Sequence, residues 1–156
     1  IPMHQIDFAE HNAQVRELWK SYRARQPKRV PMIFGINTRY TMLRPDANPR
    51  NITFEQYFAD PQVMLERQLE AQNWVRHHVP QDTEMGIPTE GWDVLVDLQN
   101  VHEAAWFGCP LHYCEGQVPD TLPILEDDDE LRKFLARNFP DPFNDGIMSR
   151  NWKFYD

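Results

Sequence analysis

Two polar residues stand where enzymes of the α/β class often place their chemistry. Arg39 lies in a loop that follows the apolar residues 30–34, and Asp97 lies near the end of a second apolar run, residues 92–98. In such enzymes the ligand binds at the carboxyl ends of the strands. There an arginine binds a ligand carboxylate through two hydrogen bonds, and an aspartate holds a proton or stabilises positive charge. The alternative is that Arg39 is a solvated loop residue and that Asp97 caps a helix.

A second group of residues has the types that bind a soft metal ion. His102, Cys109, His112 and Cys114 lie close together in the chain, and zinc accepts imidazole and thiolate donors. Their spacing matches no established zinc finger or ribbon, and Pro110 stiffens the segment. We therefore predict two loop thiols and two surface imidazoles without a bound metal. The sequence has no glycine-rich phosphate loop, no Gly-x-Ser-x-Gly elbow and no His-Glu-x-x-His motif.

Composition and charge narrow the class of protein. The chain has 156 residues, of which 41% are hydrophobic and 26% charged, an ordinary globular composition. Twenty-four acidic residues against 16 basic ones give a net charge of −8. This charge argues against nucleic acid or an anionic membrane as a partner, because both attract clustered positive charge. No apolar run approaches the roughly 20 residues of a membrane span, and two cysteines cannot form a secreted disulfide framework, so we expect a cytoplasmic protein.

The elements that must position these residues are helices that alternate with short strands. Apolar spacings of three and four predict a first helix over residues 5–25. Residues 30–34 and 92–98 are apolar runs bounded by breakers, and both are predicted to be strands. One or two helical turns are expected over residues 99–107, followed by a short edge strand at 111–114.

Three further helix starts carry capping signals. Thr53 and Gln56 fit a capping box, in which each side chain bonds the backbone N–H of the other residue. Asp60 followed by Pro61 begins a helix that extends to about residue 78. The acidic residues 126–130 open a later helix, where their charge complements the helix dipole.

The order of elements predicts an α/β protein with a parallel sheet. We divide residues 1–156, as one partial domain, into the N-terminal helix, a first βα unit at 30–79, and the second strand with the following helices at 92–156. Two strands cannot close a (β/α)8 barrel, which typically needs ~250 residues. The chain begins at Ile1 rather than Met and ends in an aromatic segment, which also predicts a fragment of a longer chain.

Several stretches together resemble the N-terminal part of the uroporphyrinogen decarboxylase superfamily. They are residues 29–34 leading to Thr38-Arg39-Tyr40, residues 54–58 with Asp60-Pro61, residues 92–97, residues 107–111, and residues 119–125 with Pro140-Asp141-Pro142. The resemblance implies the first third to half of a (β/α)8 TIM barrel, incomplete in this chain and usually dimeric. Decarboxylases of this superfamily remove CO2 from the acetate arms of a tetrapyrrole without a metal or organic cofactor.

The resemblance also implies roles for individual residues. Arg39, in an Arg-Tyr pair with Tyr40, matches the second of two family arginines that bind substrate carboxylates. Asp97 matches the aspartate that faces the pyrrole nitrogens, so it is the expected catalytic residue. The first family arginine has no match, because residues 35–37 occupy its region. Asn37, Arg39 and Tyr40 are therefore the expected substrate-binding residues, and fewer cations than in the family would face the substrate carboxylates.

Two alternatives remain open. Methyltransferases of the same superfamily move a methyl group between a corrinoid and a thiol, and they hold zinc through a His-x-Cys pair and a distant Cys. Cys109, His112 and Cys114 do not match those positions, so zinc and corrinoid are implied only under this alternative. The other is a non-catalytic α/β module that needs a partner chain. The expected partners are a tetrapyrrole or corrinoid-linked substrate, with a homodimer or the remaining half of the barrel.

Overall fold

The computed structural model describes residues 6–155. In chain order the helices are α1 Phe8–Arg23, α2 Thr38–Met42, α3 Phe54–Ala59, α4 Pro61–His78, α5 His102–Trp106, α6 Asp128–Ala136 and α7 Met148–Asn151, and the strands are β1 Leu111–His112 and β2 Asp120–Thr121. Short 3₁₀ turns lie at Gln99–Val101 and Trp152–Tyr155.

Helix α1 begins at a side-chain cap and packs on the loop that follows α4. The Asp7 carboxylate accepts hydrogen bonds from two backbone N–H groups of the first turn. Asn12 bonds the backbone of Met85 twice, at 2.8 and 3.0 Å. The helix predicted over 5–25 is thus confirmed for α1, while residue 5 lies outside the described residues.

Helices α3 and α4 begin where their caps predict. Gln56 N–H donates to Thr53 Oγ1 at 3.2 Å and Thr53 N–H donates to Gln56 Oε1 at 2.9 Å, which completes the capping box. The Asp60 carboxylate accepts from Gln62 N–H at 2.8 Å, and Pro61 is the first residue of α4. Both predicted helix starts are confirmed.

The strand predicted at residues 30–34 does not form. Met32 N–H donates to the Asp82 carboxylate at 2.7 Å, and Phe34 N–H donates to Gln81 Oε1 at 2.9 Å. Side chains of the loop after α4 thus take the hydrogen bonds that a neighbouring strand would otherwise make. The prediction of a strand here is wrong for the chain between residues 6 and 155.

The strand predicted at residues 92–98 is also absent from the described part of the chain. Leu95 N–H donates to Gln68 Oε1 at 3.0 Å, and Gln68 Nε2 donates back to the Leu95 carbonyl at 2.6 Å. A carboxamide on α4 therefore pairs with this backbone as a strand residue would. Within residues 6–155 the sheet consists of β1 and β2, which are antiparallel with Leu111 opposite Thr121. The parallel sheet and the barrel stay predictions.

The buried core lies where α2, α3 and α4 meet the segment that carries Asp97. Its buried members are Met42, Phe54, Tyr57, Phe58, Met64, Leu98 and Val101. Tyr57 and Phe58 are fully buried. Because burial of large apolar side chains is the main stabilising term, this cluster holds the Asp97 segment against α3 and α4.

The later elements match their local signals. Asp127 caps α6 by accepting from Asp129 N–H and Glu130 N–H, each at 2.8 Å, so the acidic run is the predicted helix start. Residues 99–107 contain helical turns and β1 covers part of 111–114, as predicted. Between residues 6 and 155, no helix is both long enough and apolar enough to cross a bilayer.

Candidate functional site

Arg39 is positioned by a short helix rather than by a loop. The Asn37 side chain caps α2, since its Oδ1 accepts from Arg39 N–H at 2.9 Å. The carboxamide oxygen of Asn37, a residue predicted to bind substrate, is therefore occupied by this cap. Arg39 is half-buried and points toward the segment that follows Asp97.

One carboxamide joins Arg39 and Asp97, the two charged residues that the sequence predicts to share a site. Arg39 Nε donates to Gln99 Oε1 at 2.7 Å, and Gln99 Nε2 in turn donates to Asp97 Oδ2. Arg39 Nη2 also donates to Asn100 Oδ1 at 2.8 Å. The structure thus brings Arg39 and Asp97 into one hydrogen-bond network, with the Gln99 amide between the opposite charges.

Asp97 is held from the core side by Tyr57. The Tyr57 hydroxyl donates to Asp97 Oδ2 at 2.9 Å, and Gln99 N–H donates to Asp97 Oδ1 at 3.1 Å. Burial, and after it the negative charge of Asp97, raise the pKa of Tyr57 far above its usual value, so the phenol keeps its proton. The Asp97 carboxylate is used here only as an acceptor, with hydrogen bonds to both of its oxygens.

Asp97 also borders two cavities. One, of about 260 Å³, is lined by Gln99, His102 and Asn151 among others. The other, of about 400 Å³, lies between α4 and the Asp97 segment, and Asn37 contributes to its wall. A ligand in either cavity would be in reach of the carboxylate.

Tyr40 belongs to a different set of side chains. Its hydroxyl accepts a hydrogen bond from Arg44 Nη1, and its ring lies 6.2 Å, centroid to centroid, from that of Trp74. Adjacent residues on a helix point in different directions, so Arg39 and Tyr40 separate on α2. The structure brings Arg39 and Asp97 together and places Tyr40 with Arg44.

The four candidate soft-metal ligands do not form one group, although His112 and Cys114 lie together. Cys114 Sγ lies 3.6 Å from His112 Nδ1, whereas His102 Nε2 lies 3.0 Å from Met148 Sδ. Cys109 is half-buried after α5. In the part of the chain that the structure describes, no three His, Cys, Asp or Glu side chains form a group that could hold a metal ion.

Sequence reasoning missed Tyr57 and Gln99. Tyr57 gave a signal, because it lies with Phe54 and Phe58 on the buried face of a capped helix, and a buried hydroxyl needs a polar partner. Gln99 gave none. Its backbone has a φ of 55°, a left-handed conformation that glycine and asparagine adopt more readily than glutamine.

Comparison of the chain with protein-family models, with curated proteins and with solved structures found no match.

Proposed function

We propose that this chain contributes Arg39 and Asp97 to a uroporphyrinogen-decarboxylase-like site that decarboxylates a tetrapyrrole-type substrate without a cofactor. The observation that supports the proposal is the network in which the Gln99 carboxamide joins Arg39 to Asp97. Arg39 follows one apolar run and Asp97 lies near the end of another, and these two residues, 58 positions apart in the sequence, belong to one hydrogen-bond network. This combination of an anion-binding cation and a fixed carboxylate suits a substrate that has carboxylate arms and develops positive charge.

Asp97 would stabilise the intermediate. Protonation of a pyrrole ring carbon places positive charge on the ring, and loss of CO2 returns the electrons of the broken carbon–carbon bond to the ring. A carboxylate beside the pyrrole N–H stabilises that cation most where its own orientation is already fixed. Tyr57 and Gln99 supply this fixation by donating to both Asp97 oxygens.

Arg39 would bind a substrate carboxylate. Its Nε and Nη2 donate to the neutral carboxamides of Gln99 and Asn100, and among residues 6–155 it forms no ion pair. A guanidinium without a carboxylate partner is available to form an ion pair with a ligand. A ligand carboxylate in place of a neutral acceptor would bring opposite charges together, and it can accept two parallel hydrogen bonds from the guanidinium.

Asp97→Asn tests the proposal. The substitution keeps the size of the side chain but removes its charge, so CO2 release from uroporphyrinogen by the purified protein that contains this chain should fall about 100-fold or more. Chromatography of the porphyrins measures the effect, because it follows the loss of carboxylates from the substrate. Asp128→Asn, an exposed acid on α6, is the matched control and should leave the rate unchanged.

Two outcomes would contradict this proposal. Equal CO2 release by the wild type and by folded Asp97→Asn would remove Asp97 from the mechanism. Methyl transfer from methylcobalamin to a thiol, without CO2 release from a tetrapyrrole, would instead favour the methyltransferase alternative.

A further inference from the structure

Cys114 and His112 lie together on the outer side of the β1 segment. Side chains two residues apart in an extended chain point to the same side, whereas Tyr113 between them points inward and packs its ring 6.2 Å from that of Phe58. Cys114 Sγ lies 3.6 Å from His112 Nδ1 and 3.7 Å from Nε2. A small rotation of the imidazole therefore brings either nitrogen to the thiol.

A cation lines the same cavity. Arg39, His112 and Cys114 share a cavity of about 350 Å³, whose other polar lining residues are Asn100, Gln117 and Asp120. Asp120 is the register partner of His112 and accepts from Thr121 N–H at 2.8 Å. The cavity thus combines a thiol, a base and a guanidinium that pairs with neutral carboxamides.

We propose that His112, Cys114 and Arg39 form a thiol-exchange site for small disulfides that carry a carboxylate. His112 takes the proton of Cys114, and the thiolate attacks one sulfur of the disulfide. A new bond forms between Cys114 Sγ and that sulfur while the original disulfide bond breaks. The other half leaves as a thiolate and receives a proton from the His112 imidazolium, so Cys114 is oxidised and the leaving half is reduced.

Arg39 favours disulfides that carry a negative charge. Asp120, the register partner of His112, carries the opposite sign in this cavity. Arg39 is thus the group that can attract an anionic substituent. The site shares Arg39 with the proposed decarboxylation but does not depend on that reaction, and its test uses no tetrapyrrole.

Two chromogenic disulfides test the site. Dithiobis(nitrobenzoate) carries carboxylates, and dithiodipyridine is uncharged. In a Cys109→Ser background Cys114 is the one thiol of this chain. We expect Arg39→Gln to lower the rate constant for dithiobis(nitrobenzoate) about tenfold and that for dithiodipyridine less than about twofold. His112→Gln should slow both reagents at least about tenfold at neutral pH.

The controls separate charge at the site from net charge and from folding. Arg16→Gln removes a charge from an exposed part of α1 and should leave both rate constants unchanged. Arg39→Lys keeps a cation and should keep the preference for the anionic reagent. Equal slowing of both reagents by Arg39→Gln, or unchanged rates in His112→Gln, would overturn the proposal.

Discussion

Gln99 connects the two charged residues of the candidate site through a backbone conformation that costs energy. A non-glycine residue with a φ of 55° is strained by about 1–3 kcal/mol. Two hydrogen bonds to Asp97, one from the Gln99 N–H and one from its carboxamide, offset this strain. The conformation of Gln99 and the orientation of Asp97 therefore depend on each other.

Tyr57→Phe should lower the free energy of unfolding by about 1–2 kcal/mol. The substitution keeps the buried ring but removes the hydrogen bond to Asp97, and hydrogen bonds to charged groups contribute somewhat more than neutral ones. Urea unfolding of the wild type and the variant measures the difference. Tyr22→Phe, at a ring that is 42% exposed, is the matched control and should change stability by less than about 0.5 kcal/mol. If Tyr57→Phe lowers the free energy of unfolding no more than Tyr22→Phe does, the hydrogen bond from the Tyr57 hydroxyl does not contribute to stability.

At the scale of elements, side chains rather than strands hold the segment 30–34. Asp82 accepts from Met32 N–H at 2.7 Å and from Arg29 Nη2 at 2.6 Å, and Asp82 N–H donates to the Met32 carbonyl at 2.8 Å. One aspartate thus fixes the chain that leads to α2. The position of Arg39 depends on this attachment, because α2 begins a few residues later.

Stability should depend on pH through Asp82. The hydrogen bond from Arg29 is the main cause that lowers the pKa of Asp82 to about 2, from 3.8. A carboxyl group whose pKa is lower in the folded state stabilises the protein above its unfolded pKa, and this contribution is lost as the pH falls from about 4 toward 2. Urea unfolding across that pH range should therefore show a steep loss that Asp82→Asn makes shallower.

Asp46→Asn is the control for this pH dependence. Arg44 lowers the pKa of Asp46 as well, but the Asp46 side chain is 54% exposed against 13% for Asp82. Solvent screening makes exposed ion pairs contribute little, so Asp46→Asn should leave the slope close to that of the wild type. Identical slopes in the wild type and in Asp82→Asn would contradict the role given to Asp82.

The whole molecule exposes apolar side chains on the two segments that were predicted to be strands. Val30, Ile33 and Leu95 are each more than half exposed. Exposed apolar patches mark sites that interact with other proteins, with membranes or with ligands. A homodimer, or association with the rest of a barrel, stays the prediction for what covers them.

Gly146→Ala should destabilise the protein through two effects, backbone strain and a steric clash. Gly146 has a φ of +56°, and a Cβ there would lie 2.5 Å from the Trp106 carbonyl oxygen and 2.8 Å from that of Ala105. The segment that carries α7 would have to move away from α5. Because neither backbone can shift freely, we expect a loss of at least about 2 kcal/mol, measured by urea unfolding.

Gly116→Ala separates the two effects. Gly116 also has a positive φ, of +68°, but a Cβ there would meet nothing within 4 Å. Its substitution should lower the free energy of unfolding by about 1 kcal/mol, because backbone strain acts there without a clash. If Gly146→Ala costs no more than Gly116→Ala, then the contact between Gly146 and α5 is not tight.

The sequence by itself determined helices α1, α3, α4 and α6 and the side of the chain on which neighbouring residues lie, but it predicted a loop where α2 forms. Caps at Thr53, Asp60 and Asp127 act within a few residues, so each helix start was readable from local pattern. The alternation that places His112 beside Cys114 is equally local. The prediction that Arg39 and Asp97 share one site also came from the sequence, because Arg39 follows one apolar run and Asp97 lies near the end of another.

Only the tertiary structure decided what the backbone of those apolar runs binds and what joins the two charged residues. Gln68 and Asp82 take the place of a neighbouring strand, and Gln99 and Tyr57 fix Asp97. Strand pairing and hydrogen bonds between distant residues depend on which groups the whole chain brings together. Local pattern records a residue's preference for helix or strand, whereas its partner is set by the packing of elements far apart in the sequence.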